Sequence, residues 1–307
     1  HIDSNEPDRS HKTELTDRAV SALTAWGWNE RWAQKTIERG GTITPPDRST
    51  DHGAGHASND SPSAGGDPEQ LLPGRVIRHV HHHYEIITPL ASEPISAKVS
   101  GAYSYRAAGP SDFPTAGDWV LFGSGGRIEK LLPRHSAISR NAAGEETIEQ
   151  VIAANIDVIF LVFGLDGGRN FTVGMLERSL LAAWNSGARP VVVLNKADCA
   201  DPETIERTRL DAESNAPGVS VHVVSAVRGD GLGALQAEAR RGDTIGLLGK
   251  SGVGKSALVN AFMHRAGAFE RVPARVGEQR RGDRQGRHTT SDKTLYMLPG
   301  GIILADV

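Results

Sequence analysis

A glycine-rich stretch of the 307-residue chain has the composition and spacing of a phosphate-binding loop. Residues 249–256 read Gly-Lys-Ser-Gly-Val-Gly-Lys-Ser and match the pattern G-x-x-x-x-G-K-S in full. Glycines in this pattern let backbone N–H groups face phosphate oxygens, and the lysine, here Lys255, meets the β and γ oxygens. The apolar run Thr244–Leu248 leads into the stretch, and Ser256–His264 is predicted to leave it as a helix. A glycine-rich helix start without a ligand is the alternative interpretation.

We therefore predict a nucleotide phosphate site in which Lys255 acts as the catalytic cation and the Ser256 hydroxyl binds Mg²⁺. The residues predicted to contact the nucleotide here are Gly249, Lys250, Ser251, Gly252, Val253, Gly254, Lys255, Ser256 and Ala257.

A second motif indicates which base the nucleotide carries. Residues 195–198 read Asn-Lys-Ala-Asp and follow the apolar run Pro190–Leu194. A carboxylate at Asp198 can accept hydrogen bonds from guanine N1–H and N2–H₂, whereas adenine would leave it unpaired. Asn195 is expected to hold neighbouring loops and the base edge, and Lys196 to lay its aliphatic stem along the ring. The motif predicts guanine specificity.

The next predicted strand ends at Ser225 and Ala226, which are expected to supply a backbone N–H for guanine O6. In an ordinary GTPase the phosphate loop precedes the base-reading loops, but here both base-reading motifs come before residues 249–256. The order therefore predicts a circularly permuted sheet, which is feasible where the original termini lie close together.

Two features downstream are typical of a nucleotide switch. Residues 286–290 read Gly-Arg-His-Thr-Thr, and either Thr289 or Thr290 is expected to close over the γ-phosphate and Mg²⁺. Asp306 ends the predicted strand Ile302–Ala305 and is placed to hold the Mg²⁺ water shell. Taken singly, each could be an ordinary loop or strand-end residue, but their order after the phosphate loop favours the functional interpretation.

Composition excludes several other classes of protein. The longest apolar stretch, Val158 to Leu165, is far short of the roughly 18 residues that a membrane span needs. The single cysteine, Cys199, excludes an internal disulfide framework and a Cys-rich zinc site, so a reducing cytoplasm is expected. Basic residues are in excess in segments 73–143 and 265–293, which suits a phosphate-rich partner or a solvated surface equally well.

The motifs are embedded in four predicted segments. Residues 1–40 are expected to form a helical segment, with Trp26, Trp28 and Trp32 as packing anchors. The next segments are a disordered linker over 41–72, a barrel over 73–140 and a GTPase domain over 141–307. The barrel is inferred from five short strand patterns and resembles the five-stranded oligonucleotide-binding type. Its predicted strands are Arg75–Val80, Tyr84–Thr88, Ile95–Ser100, Trp119–Phe122 and Arg127–Leu132.

Strand and helix patterns alternate after residue 141, which predicts an α/β fold with a mostly parallel, doubly covered sheet. The predicted strands are Ile156–Phe163, Pro190–Leu194, Val219–Val224, Thr244–Leu248, Thr294–Met297 and Ile302–Ala305. The predicted helices are Phe171–Ser186, a helix from the cap Asp201 to about Ser214, and Ser256–His264. His81, His82 and His83 are interpreted as an exposed barrel strand, since a strand would bring only two of them together for a metal.

These motifs together resemble the bacterial ribosome small-subunit-dependent GTPase family RsgA, also called YjeQ. The resemblance rests on residues 117–120, 195–198, 249–256 and 286–290 and covers about residues 73–307, while the tryptophan-containing start is similar to actinobacterial members. It implies a circularly permuted P-loop GTPase domain preceded by an OB-type barrel. It also implies a cytoplasmic, monomeric GTPase that binds the immature small (30S) ribosomal subunit, contacts its 16S rRNA and hydrolyses GTP faster there.

The resemblance also implies roles for individual residues. Residues 249–256 would hold the phosphates and Mg²⁺, Thr289 or Thr290 would sense the γ-phosphate, and Asp306 would be the metal-facing aspartate. The guanine-reading residues would be Asn195, Lys196, Asp198, Ser225 and Ala226. His288 is a candidate for orienting the hydrolytic water, with packing or a ribosome contact as the alternative.

The sequence departs from the family pattern at its end. The family's Asp-Thr-Pro-Gly is here Asp306-Val307, so the second switch and the zinc domain that should follow are expected to be missing from a truncated chain. An RNA-binding assembly factor, in which nucleotide selects a conformation and hydrolysis is negligible, is the main alternative. A permuted GTPase of the large subunit is a third, weakened by the barrel.

Overall fold

The computed structural model describes residues 21–42, 71–91, 93–141, 149–167, 170–264, 293–298 and 300–306. The helices are α1 (Glu30–Glu38), α2 (Gly101–Arg106), α3 (Val173–Ser186), α4 (Pro202–Asn215), α5 (Leu232–Gln236) and α6 (Lys255–His264). The barrel strands are β1 (Leu72–Val80), β2 (His83–Ile87), β3 (Ile95–Val99), β4 (Trp119–Phe122) and β5 (Arg127–Leu131). The remaining strands are β6 (Ala137–Asn141), β7 (Glu149–Ala154), β8 (Val158–Gly164), β9 (Arg189–Asn195), β10 (Val221–Val223), β11 (Thr244–Leu248), β12 (Lys293–Met297) and β13 (Ile303–Asp306).

The first five strands close into a barrel. They follow the order β1-β2-β3-β5-β4, and a β1–β4 pairing completes the ring. All contacts are antiparallel except β3–β5, which is parallel, and α2 lies between β3 and β4 along the chain. The enclosed side chains include Val76, Tyr84, Ile86, Val120 and Ile128. This arrangement confirms the predicted OB-type barrel.

The second region is a parallel sheet in the order β10-β9-β8-β11-β13, with antiparallel β12 at its end. All seven residues of β8 are buried, because both faces of the sheet are covered. Alternate β8 side chains belong to two separate cores, one containing Leu176 and Leu180 of α3 and the other Leu258 and Phe262 of α6. The predicted doubly covered α/β fold is confirmed.

Two helix ends confirm local sequence signals. Asp201 caps α4 by accepting a hydrogen bond from the Thr204 N–H at 2.9 Å, and Pro202 occupies the first helical position, where its missing N–H costs nothing. Gly187 ends α3 in the left-handed conformation with φ of 86°, which only a residue without a Cβ adopts readily. The sequence therefore sets where these helices start and stop.

Several predictions differ from the structure. The β6–β7 hairpin was not predicted, and neither were the short helices α2 and α5. His83 begins β2, as the strand interpretation predicts, and all three histidines are exposed. His81 and His82 instead form the turn between β1 and β2, with His81 at φ of 56°, so the interpretation was wrong for these two. The tight turn, rather than the strand pattern, decides where these side chains lie. Most of the predicted linker over 41–72 lies outside the described residues.

The N-terminal segment packs on the barrel through its tryptophans. Residues 21–25 and α1 are helical, in keeping with the helical segment predicted for residues 1–40. The rings of Trp28 and Trp32 lie 5.0 and 5.6 Å from the ring of Trp119, which is buried at the start of β4. The prediction that these tryptophans are packing anchors is confirmed.

Arg75 joins the N-terminal segment, the barrel and the parallel sheet. It is fully buried on β1, and its guanidinium donates to the carbonyl of Trp26 and, at 2.7 Å, to Thr244 Oγ1 at the start of β11. The same group lies over the ring of Trp119. Burial lowers the pKa of Arg75 to about 10, so the side chain stays charged at neutral pH. One buried cation therefore contacts all three parts, and the antiparallel pairing of β1 with β12 also joins the barrel to the sheet.

None of the described helices has both the length and the apolar character to cross a bilayer.

Candidate functional site

The predicted nucleotide motifs meet at one edge of the parallel sheet. Strands β8, β9, β10 and β11 all run the same way, so the loops that follow them lie at a common, carboxyl-terminal edge. Open α/β sheets bind ligands at this edge. The loops after these four strands therefore form the candidate nucleotide pocket.

The loop after β11 has the glycine geometry of a phosphate cradle. Gly252 and Gly254 have φ of 86° and 98°, and α6 begins directly afterwards at Lys255. A Cβ on Gly249 would overlap the carbonyl oxygen of Val162 on β8, and one on Gly254 would overlap Asn195 Nδ2. The loop can pack this closely only because those positions are glycines. It leads into the positive N-terminal end of a ten-residue helix.

Lys255 is held over the phosphate loop by the loop's own backbone. Its Nζ donates to the carbonyl oxygens of Gly249 at 2.7 Å and Lys250 at 3.0 Å. These contacts fix the ammonium group above the loop, where the predicted phosphates would lie. The carbonyls of the loop therefore position the cation.

Asn195 connects the phosphate loop to the loop after β10. The residue is 1% exposed; its Nδ2 donates to the Val253 carbonyl at 3.0 Å, and its Oδ1 accepts from the Ala226 N–H at 3.1 Å. Asn195 thus joins neighbouring loops, as expected, while its contact with the base edge stays a prediction. The Ala226 N–H, expected to meet guanine O6, is engaged by Asn195 here, so a base would have to share or replace this bond.

Asp198 is kept ionised by its neighbour Ser225. The Ser225 hydroxyl donates to Asp198 Oδ1 at 2.5 Å, and this hydrogen bond is the main reason that the pKa of Asp198 lies below its ordinary value. Oδ2 accepts from the Cys199 thiol, a weak donor, at 3.4 Å. Ser225 is fully buried and also accepts from the Arg228 N–H at 3.1 Å. Ser225 therefore orients the carboxylate, a role beyond the backbone contact expected of it.

Lys196 has a partner that the sequence analysis missed. The residue has a left-handed backbone with φ of 66°, and its Nζ lies 2.5 Å from Asp166 Oδ2 in the loop after β8. Asp166 matches no motif; the signal that could have found it is its place just beyond a buried strand, at the ligand-binding edge of an α/β sheet. The loop after β8 is thus the fourth loop that lines the candidate site.

The residues predicted to hold Mg²⁺ are only partly described. Ser256 lies in the first turn of α6, and Asp306 is the last residue of β13, which runs parallel to β11 and ends at the same edge. A hydroxyl and a carboxylate are oxygen donors of the kind that Mg²⁺ prefers, so this pair fits the ion. His288, Thr289 and Thr290 lie outside the described residues, and their roles stay predictions.

The fold and this pocket together define a circularly permuted P-loop GTPase domain preceded by an OB-type barrel. The solved structures of YjeQ from Thermotoga maritima and of YloQ, a circularly permuted GTPase, share the fold with TM-scores of 0.58 and 0.53. Each is 21% identical to the chain; the matches cover 77 and 78% of it and 74 and 71% of the respective structures.

Comparison with known families identifies the chain more narrowly. The family model for the RsgA GTPase matches residues 131–307. The small ribosomal subunit biogenesis GTPase RsgA of Streptomyces coelicolor is 34% identical over 93% of the chain and 68% of its own length. The chain belongs to the RsgA GTPase family.

Another relative, small ribosomal subunit biogenesis GTPase RsgA 2 of Lactiplantibacillus plantarum, is 38% identical over 77% of the chain. The chain spans 64% of the length of this relative and 65% of the length of the RsgA protein of Opitutus terrae.

Proposed function

We propose that the chain binds GTP and GDP in this pocket, hydrolyses GTP with the help of Mg²⁺, and acts on the small ribosomal subunit during its assembly. The observation that carries the proposal is the pair of hydrogen bonds made by Asn195. They join the phosphate loop to the loop that follows β10, and this supports the proposal that Lys255 and Asp198 would contact the same ligand. Family membership and the printed names of the relatives support the same function.

Phosphoryl transfer needs positioning and charge neutralisation more than covalent chemistry. The loop over residues 249–254 would orient the β- and γ-phosphates, and the α6 N-terminus would offset their charge. Lys255, already fixed by two carbonyls, would neutralise charge that builds on the transferring group. Ser256 and Asp306 would hold Mg²⁺, which would supply positive charge to offset that of the phosphates. Thr289 or Thr290 would close over the γ-phosphate, and His288 is the candidate for orienting water.

The partner proposed for the barrel is 16S rRNA of the 30S subunit. Lys98 on β3 and Arg127 on β5 are exposed and lie directly opposite each other in the parallel register. Two like charges in this position repel each other, and a polyphosphate backbone between them would relieve that repulsion. OB-type barrels commonly bind oligonucleotides. We propose a cytoplasmic monomer made of a helical segment over 1–40, a linker over 41–72, a barrel over 73–140 and a GTPase domain over 141–307.

A nucleotide titration tests the binding half of the proposal. Fluorescent GDP should bind in the presence of Mg²⁺, and the adenine counterpart should bind roughly 100-fold more weakly, because it leaves Asp198 unpaired. Lys255→Ala should abolish tight binding. Lys130→Ala, which removes a lysine of the barrel, is the matched control and should bind like the unmodified chain. Equal affinities for the two bases would overturn the assignment of the base.

A turnover assay with purified ribosomal subunits tests the enzymatic half. Stimulation of GTP hydrolysis by small subunits, with none by large subunits, is expected. Nucleotide-dependent RNA binding without turnover would instead support the assembly factor that lacks hydrolysis. Stimulation by large subunits alone would contradict the proposed partner.

A further inference from the structure

Asp166 places a fixed carboxylate beside the nucleotide pocket. It lies two residues beyond the end of β8, at the edge where the nucleotide loops meet. Its Oδ2 is 2.5 Å from Lys196 Nζ, and each of the two side chains is 27% exposed. The hydrogen bond from Lys196 is the main cause that lowers the pKa of Asp166. The two residues therefore form an ion pair on the rim of the pocket.

The carboxylate is anchored from its other side. Asn170 Nδ2 donates to Asp166 Oδ1 at 2.6 Å, so each oxygen of Asp166 has its own donor. A Cβ on Gly164 would come within 3.0 Å of the same Oδ1, which shows that the carboxylate folds back over the end of β8. The Leu165 N–H donates to the Asn195 carbonyl at 2.8 Å and ties this loop to the end of β9. Asp166 thus has a fixed position relative to the guanine-reading motif.

Lys196 spans the space between this carboxylate and the phosphate loop. Its left-handed backbone turns the side chain away from the line of β9. Its Cε would lie 3.9 Å from a Cβ placed on Gly254, so the stem passes close to the phosphate loop. A lysine side chain has many rotamers, and ordering one when a ligand binds lowers affinity. An ion pair that orders it beforehand removes part of that cost.

We propose that Asp166 is the positioning residue for Lys196, and that it strengthens the binding of GTP and GDP by holding the lysine stem where a guanine base would stack. The inference rests on the proposed function of the pocket. Asp166 itself does not touch the nucleotide; it acts through Lys196, and Asn170 supports it. The γ-phosphate end of the pocket is formed by other residues, so GTP and GDP should be affected equally.

Stopped-flow measurements with fluorescent GDP and GTP test this role. Asp166→Ala should weaken binding of both nucleotides by about fivefold, mainly through faster dissociation, since a partly exposed ion pair and one ordered side chain contribute only modestly. The kcat for GTP should stay unchanged while KM rises. Asp166→Asn, which keeps the size of the side chain and loses its charge, should give a smaller effect of the same kind. Glu206→Ala, which removes an exposed carboxylate from α4, is the control for loss of charge.

A double-variant cycle separates positioning from a general structural role. In the Lys196→Ala background, adding Asp166→Ala should cause no further loss of affinity, because the lysine to be positioned is gone. An equal loss in both backgrounds would overturn the proposal. So would an Asp166→Ala variant that binds like the unmodified chain. If Asp166→Ala lowers the melting temperature, Asp166→Asn replaces it in the same cycle, and the loss of affinity that Asp166→Asn causes should likewise disappear in the Lys196→Ala background.

Failure of the positioning role of Asp166 gives a different result from failure of the proposed function. If the unmodified chain binds no guanine nucleotide, the function itself is wrong. If it binds guanine nucleotides and loses them on Lys255→Ala, but the cycle shows no coupling between Asp166 and Lys196, only the positioning role is wrong.

Discussion

The two ends of the parallel sheet use polar side chains in opposite ways. At the amino-terminal end, Thr244 contacts both Arg75 and Asp157. The Arg75 guanidinium donates to the Thr244 hydroxyl, and the backbone N–H of Thr244 donates to Asp157 Oδ2 at 2.7 Å. At the carboxyl-terminal end, Asp198 has one oxygen held by Ser225 and the other by a weak thiol donor. The first arrangement fixes the barrel against the sheet, and the second leaves an ionised carboxylate able to take stronger donors. The contacts of the first set form a junction between parts of the chain, whereas those of the second set form the candidate ligand site.

The barrel beside the junction extends this contrast. Asp118 is fully buried between β1 and β4 and accepts two hydrogen bonds from Arg134, at 2.8 and 2.7 Å. Arg134 also donates to the carbonyls of Ser111 and Phe113, at 2.8 and 3.0 Å. Both carboxylate oxygens of Asp118 thus accept hydrogen bonds from Arg134 within the protein. The comparison therefore predicts that changes here alter stability, and that changes at the carboxyl-terminal end alter nucleotide binding.

The largest effect is expected for Arg134→Ala, which leaves the carboxylate of Asp118 buried without its cation. Loss of one partner of a buried pair costs about 3–5 kcal/mol of the free energy of unfolding. Denaturant unfolding followed by tryptophan fluorescence measures it, with the exposed Arg207→Ala as control. Nucleotide affinity of the folded protein should be unchanged. A loss below about 1 kcal/mol, the range of a surface pair, would contradict the account.

A pair of glycine variants isolates the contribution of the hydrogen bond from Asn195 Nδ2 to the Val253 carbonyl. Gly252→Ala and Gly254→Ala both place a side chain at positive φ, but only the second would overlap Asn195 Nδ2; no described atom lies within 4 Å of a Cβ at residue 252. Gly254→Ala should therefore weaken GDP binding roughly tenfold more than Gly252→Ala, because it breaks the bond to Val253 as well as straining the backbone. Isothermal titration of both variants gives the ratio. Equal losses of GDP affinity in the two variants would mean that the hydrogen bond from Asn195 to Val253 does not contribute to binding.

The smallest effect is expected for Glu238, whose contacts with Arg189 and His222 make the free energy of unfolding depend on pH in the acid range. Burial alone would raise the pKa of Glu238, but hydrogen bonds from His222 and Arg189, each at 2.8 Å, outweigh it and lower the pKa to about 2. A lowered carboxyl pKa stabilises the fold above its ordinary pKa of 4.5, and this stabilisation is lost as the pH falls toward 2. Glu238→Gln should thus cost about 1 kcal/mol of unfolding free energy at pH 7, because solvent screens this partly exposed pair.

Unfolding of Glu238→Gln and the unmodified chain across this range provides the test. The difference between them should shrink between pH 4.5 and about 2. A constant difference across these pH values would show that the ion pair is not its cause.

The sequence predicts the parts of the molecule in which a local pattern has one physical solution. The phosphate loop, the apolar strands of the parallel sheet, the Asp201 cap and the Gly187 stop all belong to this class, and the structure confirms the elements that they predict. The barrel is also confirmed, since five short strands of this spacing close most readily on themselves.

Other features depend on contacts between distant segments and leave little local signal. The strands β6 and β7 are stabilised by pairing with each other, and β7 also contacts the loop before β4 through the hydrogen bond from Thr115 to the Ile152 carbonyl. Neither strand therefore has a clear pattern of its own in the sequence. Asp166 becomes relevant only because β8 and β9 are neighbours in the sheet. The two hydrogen bonds of Asn195 likewise join loops that lie 58 and 31 residues away along the chain. The nucleotide contacts assigned to these site residues stay predictions.

The most direct test of the central claim, that Asp198 reads the base of a nucleotide whose phosphates Lys255 holds, is the base preference of Asp198→Asn. The asparagine Oδ1 can still accept from the Ser225 hydroxyl, so the local structure should survive, but its amide group donates where the carboxylate accepted. Guanine nucleotides should bind roughly 100-fold more weakly, and xanthine nucleotides, which carry a carbonyl in place of the guanine amino group, should bind more tightly. Unchanged guanine affinity with no gain for xanthine would contradict the claim.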